Sequence, residues 1–247
     1  MLNNQTINKL HDMRLTAMAQ SFLEQMDTSQ FSELSFEDRF GLIVDAEWSR
    51  RKNNHLTRLI KQATLRYPGA CVEDIEYHAD RQLDKALILR LSTCNYIEEH
   101  RNIICMGASG AGKTYIACAL GVSACRNLYS TKYLRLPDLL LELSMARAEG
   151  AFKKVMKSYQ KVKLLIIDEW LLVPLTTTET RDLMEIIERR HENTSTIFVS
   201  QFAPAGWHDH LGEVTIADAI LDRIVHNSFK ITIQGNDSMR KRKGLSI

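Results

Sequence analysis

The sequence predicts an α/β domain built on a parallel five-stranded sheet flanked by helices, with a small all-α domain before it. After about residue 71, short apolar runs alternate with longer amphipathic stretches. This alternation is typical of a parallel sheet whose two faces are covered by helices. Before that point, apolar residues recur at helical spacing. We therefore expect a helical domain at residues 1–70 and an α/β domain at residues 71–247.

The composition favours a soluble protein of the cytoplasm. The chain has 247 residues, of which 45% are hydrophobic and 25% are charged, as in ordinary globular proteins. No apolar run approaches the roughly 20 residues of a membrane helix, and the first 15 residues lack an apolar secretion signal. The five cysteines form no CxxC pair. We therefore expect reduced core thiols and no membrane partner.

The first third of the chain predicts helices and carries a basic segment. Residues 15–26 have a helical apolar period, and Ser35 with Asp38 predicts the N-terminal cap of a second helix. That helix runs into residues 48–72, which contain basic residues but no acid. The Pro-Gly pair at 68–69 ends the pattern. A local basic block of this kind predicts contacts with a phosphate backbone.

The α/β part contains five strand candidates separated by helical patterns. Thr176 with Glu179 predicts a cap on one of these helices. The segment between the second and third strands is too long for one crossover helix and predicts two. Ligands of such sheets bind at the carboxyl ends of the strands. The strand candidates are NIICM (102–106), TKYLRL (131–136), KLLIID (163–168), STIFVS (195–200) and FKITI (229–233).

The segment GASGAGKT at 107–114 matches the phosphate-binding pattern G-x-x-x-x-G-K-[ST] without deviation. It follows the first strand and opens a helix, which is the context that the pattern requires. Its glycines let backbone N–H groups converge on phosphates, and the helix N-terminus adds partial positive charge. We predict that Lys113 reaches the β- and γ-phosphates of ATP and that Thr114 binds Mg²⁺. The predicted nucleotide-binding residues here are Gly107, Ala108, Ser109, Gly110, Ala111, Gly112, Lys113, Thr114 and Tyr115.

The apolar strand that ends in Asp168 and Glu169 supplies the second chemical signal. Asp168 is predicted to hold Mg²⁺ through water beside the phosphates, and Glu169 to orient and deprotonate the attacking water. Two acids capping an edge turn are the alternative, but the phosphate-binding loop upstream favours catalysis. Glu169 also favours a hydrolase over a small-molecule kinase.

A third polar element closes the strand STIFVS. Ser200 and Gln201 are predicted to hydrogen-bond the γ-phosphate or the attacking water. The alternative is that they only begin a loop, as polar residues after a strand often do.

The chain contains ADAILDRIVHN followed by GNDSMRKR, with GASGAGKTYIACALG, LLIIDEW and SQF…WH upstream. Together these segments resemble the IstB family of insertion-sequence helper ATPases, which are relatives of the DnaC helicase loaders in the AAA+ class. The similarity extends over essentially the whole chain, including FEDRFGLIVDAEWSRRKN and IEYHADRQLDKALILRL.

The resemblance implies roles for two arginines. Arg223 in LDRIVH is similar to an arginine finger, which reaches the γ-phosphate held by a neighbouring subunit. The alternative is a helix-face arginine paired with Asp222 or Asp218. Arg240 resembles the arginine of a terminal G-x-S-x-R element that contacts the nucleotide, although the spacing here is one residue longer. Because few residues follow this element, we also expect the domain to lack the full helical lid that is usual in the AAA+ class.

The two-helix segment resembles the extra helical insertion of initiator and helicase-loader ATPases. Lys153, Lys154 and Lys157 on it are predicted to contact DNA, with a solvated helix face as the alternative. Arg51 and Arg58 in the N-terminal domain are also predicted to bind DNA, with an intersubunit contact as the alternative.

These observations predict an ATP-dependent DNA-binding regulator of transposition, and hence an ATPase. Its expected cofactors are ATP and Mg²⁺. Its expected partners are duplex DNA, further copies of itself and a cognate transposase, and ATP hydrolysis is expected to drive disassembly. A DnaC-like helicase loader and a metabolic kinase are the two alternatives.

Overall fold

A computed structural model describes residues 2–235, 239–242 and 244 of the chain. The chain divides into two compact units, Met1–Arg58 and Leu59–Ile247. The division falls inside a long helix, whereas the sequence places the domain boundary after that helix, near residue 70. The boundary near residue 70 stays a prediction.

The first unit consists of helices. They are α1 (Leu2–Asp12), α2 (Thr16–Asp27), a 3-10 turn (Ser29–Phe31) and α3 (Phe36–Ala63), whose last residues belong to the second unit. The hydroxyl of Ser35 accepts a hydrogen bond from the N–H of Asp38 at 3.1 Å, which confirms the predicted cap. Buried Glu47 of α3 accepts from the N–H of Ala17 at 2.9 Å and so ties α3 to the start of α2.

The second unit is built on the predicted sheet. Its strands are β1 (Asn102–Gly107), β2 (Thr131–Arg135), β3 (Leu164–Asp168), β4 (Ser195–Ser200) and β5 (Ser228–Ile233). They form one sheet in the order β2-β3-β4-β1-β5, with every pairing parallel. Each strand lies where the sequence predicts it. The central strands β1, β3 and β4 are mainly apolar runs, as is typical of buried parallel strands.

The helices of this unit cover the sheet. The described ones are α4 (Lys85–Ser92), α5 (Asn95–Glu98), α6 (Lys113–Arg126), α7 (Leu136–Ala148), α8 (Phe152–Lys161), α9 (Thr177–Arg190), α10 (Val214–Val225) and α11 (Met239–Arg242). The two helices predicted between β2 and β3 are α7 and α8. Thr176 and Glu179 form the predicted cap, with the Glu179 N–H donating to Thr176 Oγ1 at 3.4 Å.

The core of the sheet lies next to the carboxyl ends of β3 and β4. Trp170 follows β3 and is fully buried, with its ring centroid 4.5 Å from that of Phe198 and 5.6 Å from that of Trp207. Such edge-to-face contacts add about 1 kcal/mol per pair beyond the area they bury. The aromatic cluster therefore anchors the turn after β3, where the predicted catalytic carboxylates lie.

Two predictions from composition can be compared with the fold. All five cysteines are free thiols, four of them buried and Cys71 half-buried. Burial raises the pKa of Cys105 to about 12, which suits a packing role and not a nucleophile. Within the described part of the chain, no helix has the length and apolar character needed to cross a membrane.

Candidate nucleotide-binding site

The loop between β1 and α6 needs glycine at two positions. Gly107 has φ +154°, and a Cβ added there would lie 2.5 Å from the carbonyl oxygen of Ile233 on β5. Gly112 has φ +93°, in the left-handed region, and a Cβ there would lie 3.1 Å from Nη2 of Arg81. There is therefore no room for a side chain at these two positions of the loop. The loop leads into α6, whose first N–H groups have no partner within the helix.

Lys113 lies across this loop. Its Nζ donates to the carbonyl oxygens of Gly107 and Ala108, both at 2.8 Å. Burial lowers the pKa of Lys113, while the nearby Cys105 and Asp168 oppose this shift. The ammonium group is thus held by neutral acceptors in the cavity that phosphates are predicted to fill.

Asp168 lies at the end of β3 with its carboxylate surrounded by donors. Oδ2 accepts from Thr114 Oγ1 and from the Tyr133 hydroxyl, each at 2.8 Å, and Oδ1 accepts from the N–H of Glu169 at 2.8 Å. Burial and the neighbouring carboxylate raise the pKa of Tyr133, so its hydroxyl keeps its proton and donates. The two residues predicted to bind Mg²⁺, Thr114 and Asp168, are therefore in contact.

The donor set at this position fits Mg²⁺, which prefers oxygen ligands and usually binds to one or two protein groups plus phosphate oxygens. Thr114 directs its proton at Asp168 and keeps its lone pairs for a metal. Among the described residues, no cluster of three or more His, Cys, Asp or Glu side chains could hold a metal alone.

Glu169 lies on a strained turn. Its φ is +55°, which is unusual for a residue with a side chain. The next residue, Trp170, anchors the turn by donating its N–H to the Val199 carbonyl at 2.9 Å. The Glu169 carboxylate is about one-third exposed and lies 3.8 Å from Nη1 of Arg135. Arg135, which is also hydrogen-bonded to Asp138, therefore contacts the predicted catalytic base.

Ser200 and Gln201 differ in their surroundings. Ser200 is 1% exposed, and its hydroxyl donates to the Trp170 carbonyl at 3.1 Å. The same oxygen accepts from the N–H of Phe202 and from the indole N–H of Trp207, both at 3.1 Å. The Ser200 hydroxyl is therefore already engaged in hydrogen bonds within the packed core. Gln201 is exposed, so the predicted contact with phosphate or water is open to Gln201 in this arrangement.

A cleft of about 310 Å³ opens beside the loop, and its far wall consists of residues that no sequence pattern marked as part of the site. The loop side includes Gly110, Gly112, Thr114 and Tyr115. The far wall is formed by Tyr67, Asp74, Ile75, Glu76, Arg81 and Met239. The rings of Tyr67 and Tyr115 lie 6.0 Å apart. Tyr67 belongs to the RYPGA segment, whose only sequence signal was the end of a helix.

Arg81 braces the phosphate-binding loop from the 3-10 turn Ala79–Arg81. It is 5% exposed, and its Nη2 donates to the Ala111 carbonyl at 2.8 Å. Its Nη1 donates to the carbonyl of Glu76. Burial lowers the pKa of Arg81. No local pattern marks this arginine, because its partner lies 30 residues away in the chain.

Arg223 is on α10 and pairs with a carboxylate of α9. Its Nε lies 2.5 Å from Oε2 of Glu188, and its Nη1 donates to the Ala219 carbonyl at 3.0 Å. The alternative partners considered from the sequence, Asp222 and Asp218, contact histidines instead. The finger assignment of Arg223 stays a prediction. Within one copy of the chain, its charge is neutralised by Glu188.

The residues predicted to bind DNA have different surroundings. Lys153, Lys154 and Lys157 are exposed on α8. Arg58 is exposed, while Arg51 donates from Nε to Glu47 at 2.7 Å. Burial raises the pKa of Glu47, but hydrogen bonds from Arg50, Arg51 and the Ala17 N–H outweigh it and lower the pKa to about 2. Arg51 therefore contacts a carboxylate that is ionised at neutral pH.

The predicted terminal G-x-S-x-R element falls largely outside the described residues. Residues 236–238 are not described, and neither is the side chain of Arg240. The adjoining Met239 donates its N–H to the Gly110 carbonyl at 2.9 Å, so the backbone of α11 contacts the phosphate-binding loop.

Comparison with known proteins identifies the family. The family model for "IstB-like ATP binding protein" matches residues 8–246. The chain belongs to this family. An insertion-sequence ATP-binding protein of Sinorhizobium fredii is 40% identical to this IstB-like chain over 243 residues, covering 98% of the chain and 99% of that protein. Another, from Pseudomonas fluorescens, is 41% identical over 201 residues, covering 81% and 87%.

Solved structures confirm the predicted fold of the IstB-like chain. DnaI matches with a TM-score of 0.59 at 21% identity, covering 67% of this chain and 92% of its own. The DnaC helicase loader matches with a TM-score of 0.54 at 20% identity, covering 68% and 99%. AMPPCP-bound DnaA from Aquifex aeolicus matches with a TM-score of 0.58 at 17% identity, covering 73% and 54%. These identities show the fold alone, which is that of an AAA+ P-loop domain.

Proposed function

We propose that this IstB-like protein is an ATP-dependent, DNA-binding regulator of transposition. It assembles on duplex DNA when ATP is bound, selects target sites and stimulates a partner transposase, and ATP hydrolysis dismantles the assembly. The supporting observation is the phosphate cradle, residues 107–114 with Asp168, in a chain that matches insertion-sequence ATP-binding proteins over nearly its whole length.

The cradle supports ATP binding through its neutral acceptors. When a triphosphate enters, Lys113 exchanges the carbonyls of Gly107 and Ala108 for anionic oxygens, which are stronger partners for an ammonium group. The N-terminus of α6 favours the same charge. The adjoining cleft, with Tyr67 and Tyr115, offers apolar and aromatic surface to the base.

Hydrolysis is assigned to the turn after β3. Mg²⁺, when bound, neutralises charge on the β- and γ-phosphates. Thr114 and Asp168 are the residues that would hold it, since their contact leaves the lone pairs of Thr114 available. Glu169 orients the attacking water and accepts its proton, and exposed Gln201 is the polar neighbour on β4's carboxyl side.

Assembly follows from the need for a second copy. Arg223 is assigned to the γ-phosphate of a neighbouring protomer, where a guanidinium stabilises the charge that develops during hydrolysis. A ligand shared by two protomers stabilises their contact, so the nucleotide state sets the assembly state.

DNA binding is assigned to exposed cations. Lys153, Lys154 and Lys157 lie on one short helix, and Arg51 and Arg58 lie on α3. Contacts with the phosphate backbone carry little sequence information, and their strength falls steeply with salt. A protein with this task works in the cytoplasm, where the chromosome of a bacterial host lies.

A helicase loader is the second candidate function. The likeness to DnaC and DnaI supports the shared ATPase fold but reaches only about two-thirds of this chain. The relatives that match the N-terminal unit as well are insertion-sequence proteins, which favours the transposase as partner. Affinity for a cognate transposase, measured against affinity for a replicative helicase, distinguishes the two functions.

The proposed function is tested by measuring ATP turnover and particle size together, with and without duplex DNA. We expect wild-type protein with ATP and Mg²⁺ to form large particles on DNA and to turn ATP over faster there. Lys113→Ala should lose ATP binding by more than about 100-fold, because its charge-assisted phosphate contacts disappear, and should stay small. A wild-type protein that remains a single inert copy under these conditions contradicts the proposal.

A further inference from the structure

A tyrosine on the strand beside β3 holds the carboxylate that is assigned to Mg²⁺. Tyr133 lies on β2, where the parallel register places Arg135 opposite Asp168. Its hydroxyl donates to Asp168 Oδ2 at 2.8 Å, the same oxygen that accepts from Thr114. Tyr133 is 8% exposed. Water therefore competes little for this bond, and the bond is stronger than an exposed one.

The hydroxyl of Tyr133 restricts the orientation of Asp168. The terminal torsion of an aspartate is soft, so a carboxylate keeps one plane only where donors fix both oxygens. The N–H of Glu169 fixes Oδ1 at 2.8 Å, and Thr114 and Tyr133 fix Oδ2. Thr114 also has to face the metal. Of the two side-chain donors, Tyr133 is the one that has no task toward nucleotide or metal in the proposed mechanism.

We propose that Tyr133 is a positioning residue of the metal site: its hydroxyl fixes the Asp168 carboxylate so that Asp168 and Thr114 present their oxygens to one Mg²⁺. The inference rests on the proposed ATP-dependent function. Groups that orient the ligands of a metal are worth about tenfold or more in metal affinity.

The end of α3 holds Tyr133 in turn. Thr64, whose φ of +51° ends the helix, donates from Oγ1 to the Tyr133 carbonyl at 3.0 Å. A hydrogen bond from the Arg66 guanidinium to the Tyr133 hydroxyl opposes the rise in the pKa of Tyr133. The segment just after α3 therefore contacts both the backbone and the hydroxyl of Tyr133, which keeps the tyrosine in place against Asp168.

The test is Tyr133→Phe, which keeps the ring and removes the hydroxyl. ATP binding to the full-length protein is titrated against free Mg²⁺ and measured again in EDTA. We expect the Mg²⁺ concentration for half-maximal binding to rise about tenfold, with the affinity in EDTA unchanged. Tyr96→Phe is the matched control: Tyr96 is 2% exposed, and its hydroxyl has no hydrogen-bond partner among the described residues. It should leave both affinities as in wild type.

Two outcomes overturn the inference without touching the proposed function. One is an unchanged Mg²⁺ dependence in Tyr133→Phe; the other is an equal loss of affinity in Mg²⁺ and in EDTA, which indicates a merely structural role. A wild-type protein that binds no ATP at any Mg²⁺ concentration contradicts both the inference and the proposed function. Should Tyr133→Phe not fold, 3-fluorotyrosine placed at position 133 replaces it. Its ¹⁹F resonance should move when Mg²⁺ is added to the ATP complex, and a resonance that stays still overturns the inference.

Discussion

The phosphate cradle and the α9–α10 face, where Arg223 of α10 contacts Glu188 of α9, belong to the same unit but hold their cations in different ways. In the cradle, Lys113 rests on two neutral carbonyls at 2.8 Å. On the α9–α10 face, Arg223 rests on the carboxylate of Glu188 at 2.5 Å. A phosphate that displaces a carbonyl gains a charge interaction, whereas one that displaces a carboxylate only exchanges one anion for another.

In the proposed mechanism, this difference separates binding from hydrolysis. ATP binding is proposed to need only groups of one chain, because Lys113 and Thr114 lie on the same loop and Thr114 already contacts Asp168. Hydrolysis is proposed to need Arg223 as well, and Arg223 is available only after it leaves Glu188. A single copy of the protein is therefore expected to bind ATP and to hydrolyse it slowly, and assembly is expected to supply the missing cation.

Arg223→Ala removes the cation of the α9–α10 face and has the largest expected effect on turnover. We expect ATP affinity to stay near wild type while turnover on DNA falls about 10³-fold, the lower end of what an arginine finger contributes. Steady-state ATP hydrolysis and equilibrium binding, measured on the same preparation, check this. Arg189→Ala is the matched control, since Arg189 pairs with Glu185 on the outside of α9 at 2.6 Å.

Mixing experiments sharpen the same prediction. Lys113→Ala protein keeps Arg223 but lacks a working cradle, so mixing it with Arg223→Ala protein should restore part of the turnover. Rescue requires that the two residues meet across two protomers. A mixture that stays as inactive as its components argues that Arg223 acts within its own chain or not at all.

Glu169→Gln tests the chemical step next to the cradle. We expect turnover to fall by on the order of 10²-fold, because a general base contributes at least that much, while ATP still binds and the DNA-bound assembly persists. Particle size after prolonged incubation with ATP measures the persistence. Wild-type turnover in this variant would remove Glu169 from catalysis.

The sequence predicted those parts of the site that depend on neighbours in the chain. The loop at 107–114 and the apolar strand ending in Asp168 are local patterns, and the structure places them in contact through Thr114. Tyr133 could not be predicted, because its hydroxyl acts on a residue 35 positions away that only the β2–β3 register brings near. The pattern TKYLRL by itself marks only a strand.

Ser200 has a packing role that the sequence did not predict, while its contact with phosphate or water stays a prediction. A serine at the end of a strand beside the predicted nucleotide site predicts chemistry, but the Ser200 oxygen accepts hydrogen bonds from the buried indole N–H of Trp207 and from the N–H of Phe202. Buried donors without partners are costly. Ser200 therefore serves as an acceptor inside the packed core. This role becomes visible only once Trp170, Phe198 and Trp207 are known to cluster.

Glu188→Gln has the smallest expected effect and tests the restraint on Arg223 directly. Removing the charge releases the guanidinium, and because exposed ion pairs contribute up to about 1 kcal/mol, turnover at limiting protein concentration should rise by up to about fivefold. Glu185→Gln is the control, since it breaks a comparable pair with Arg189 on the same helix and should leave turnover unchanged. The rise should vanish at high protein concentration, where assembly already draws Arg223 away. Equal effects of the two variants would mean that Glu188 stabilises α10 without restraining the arginine.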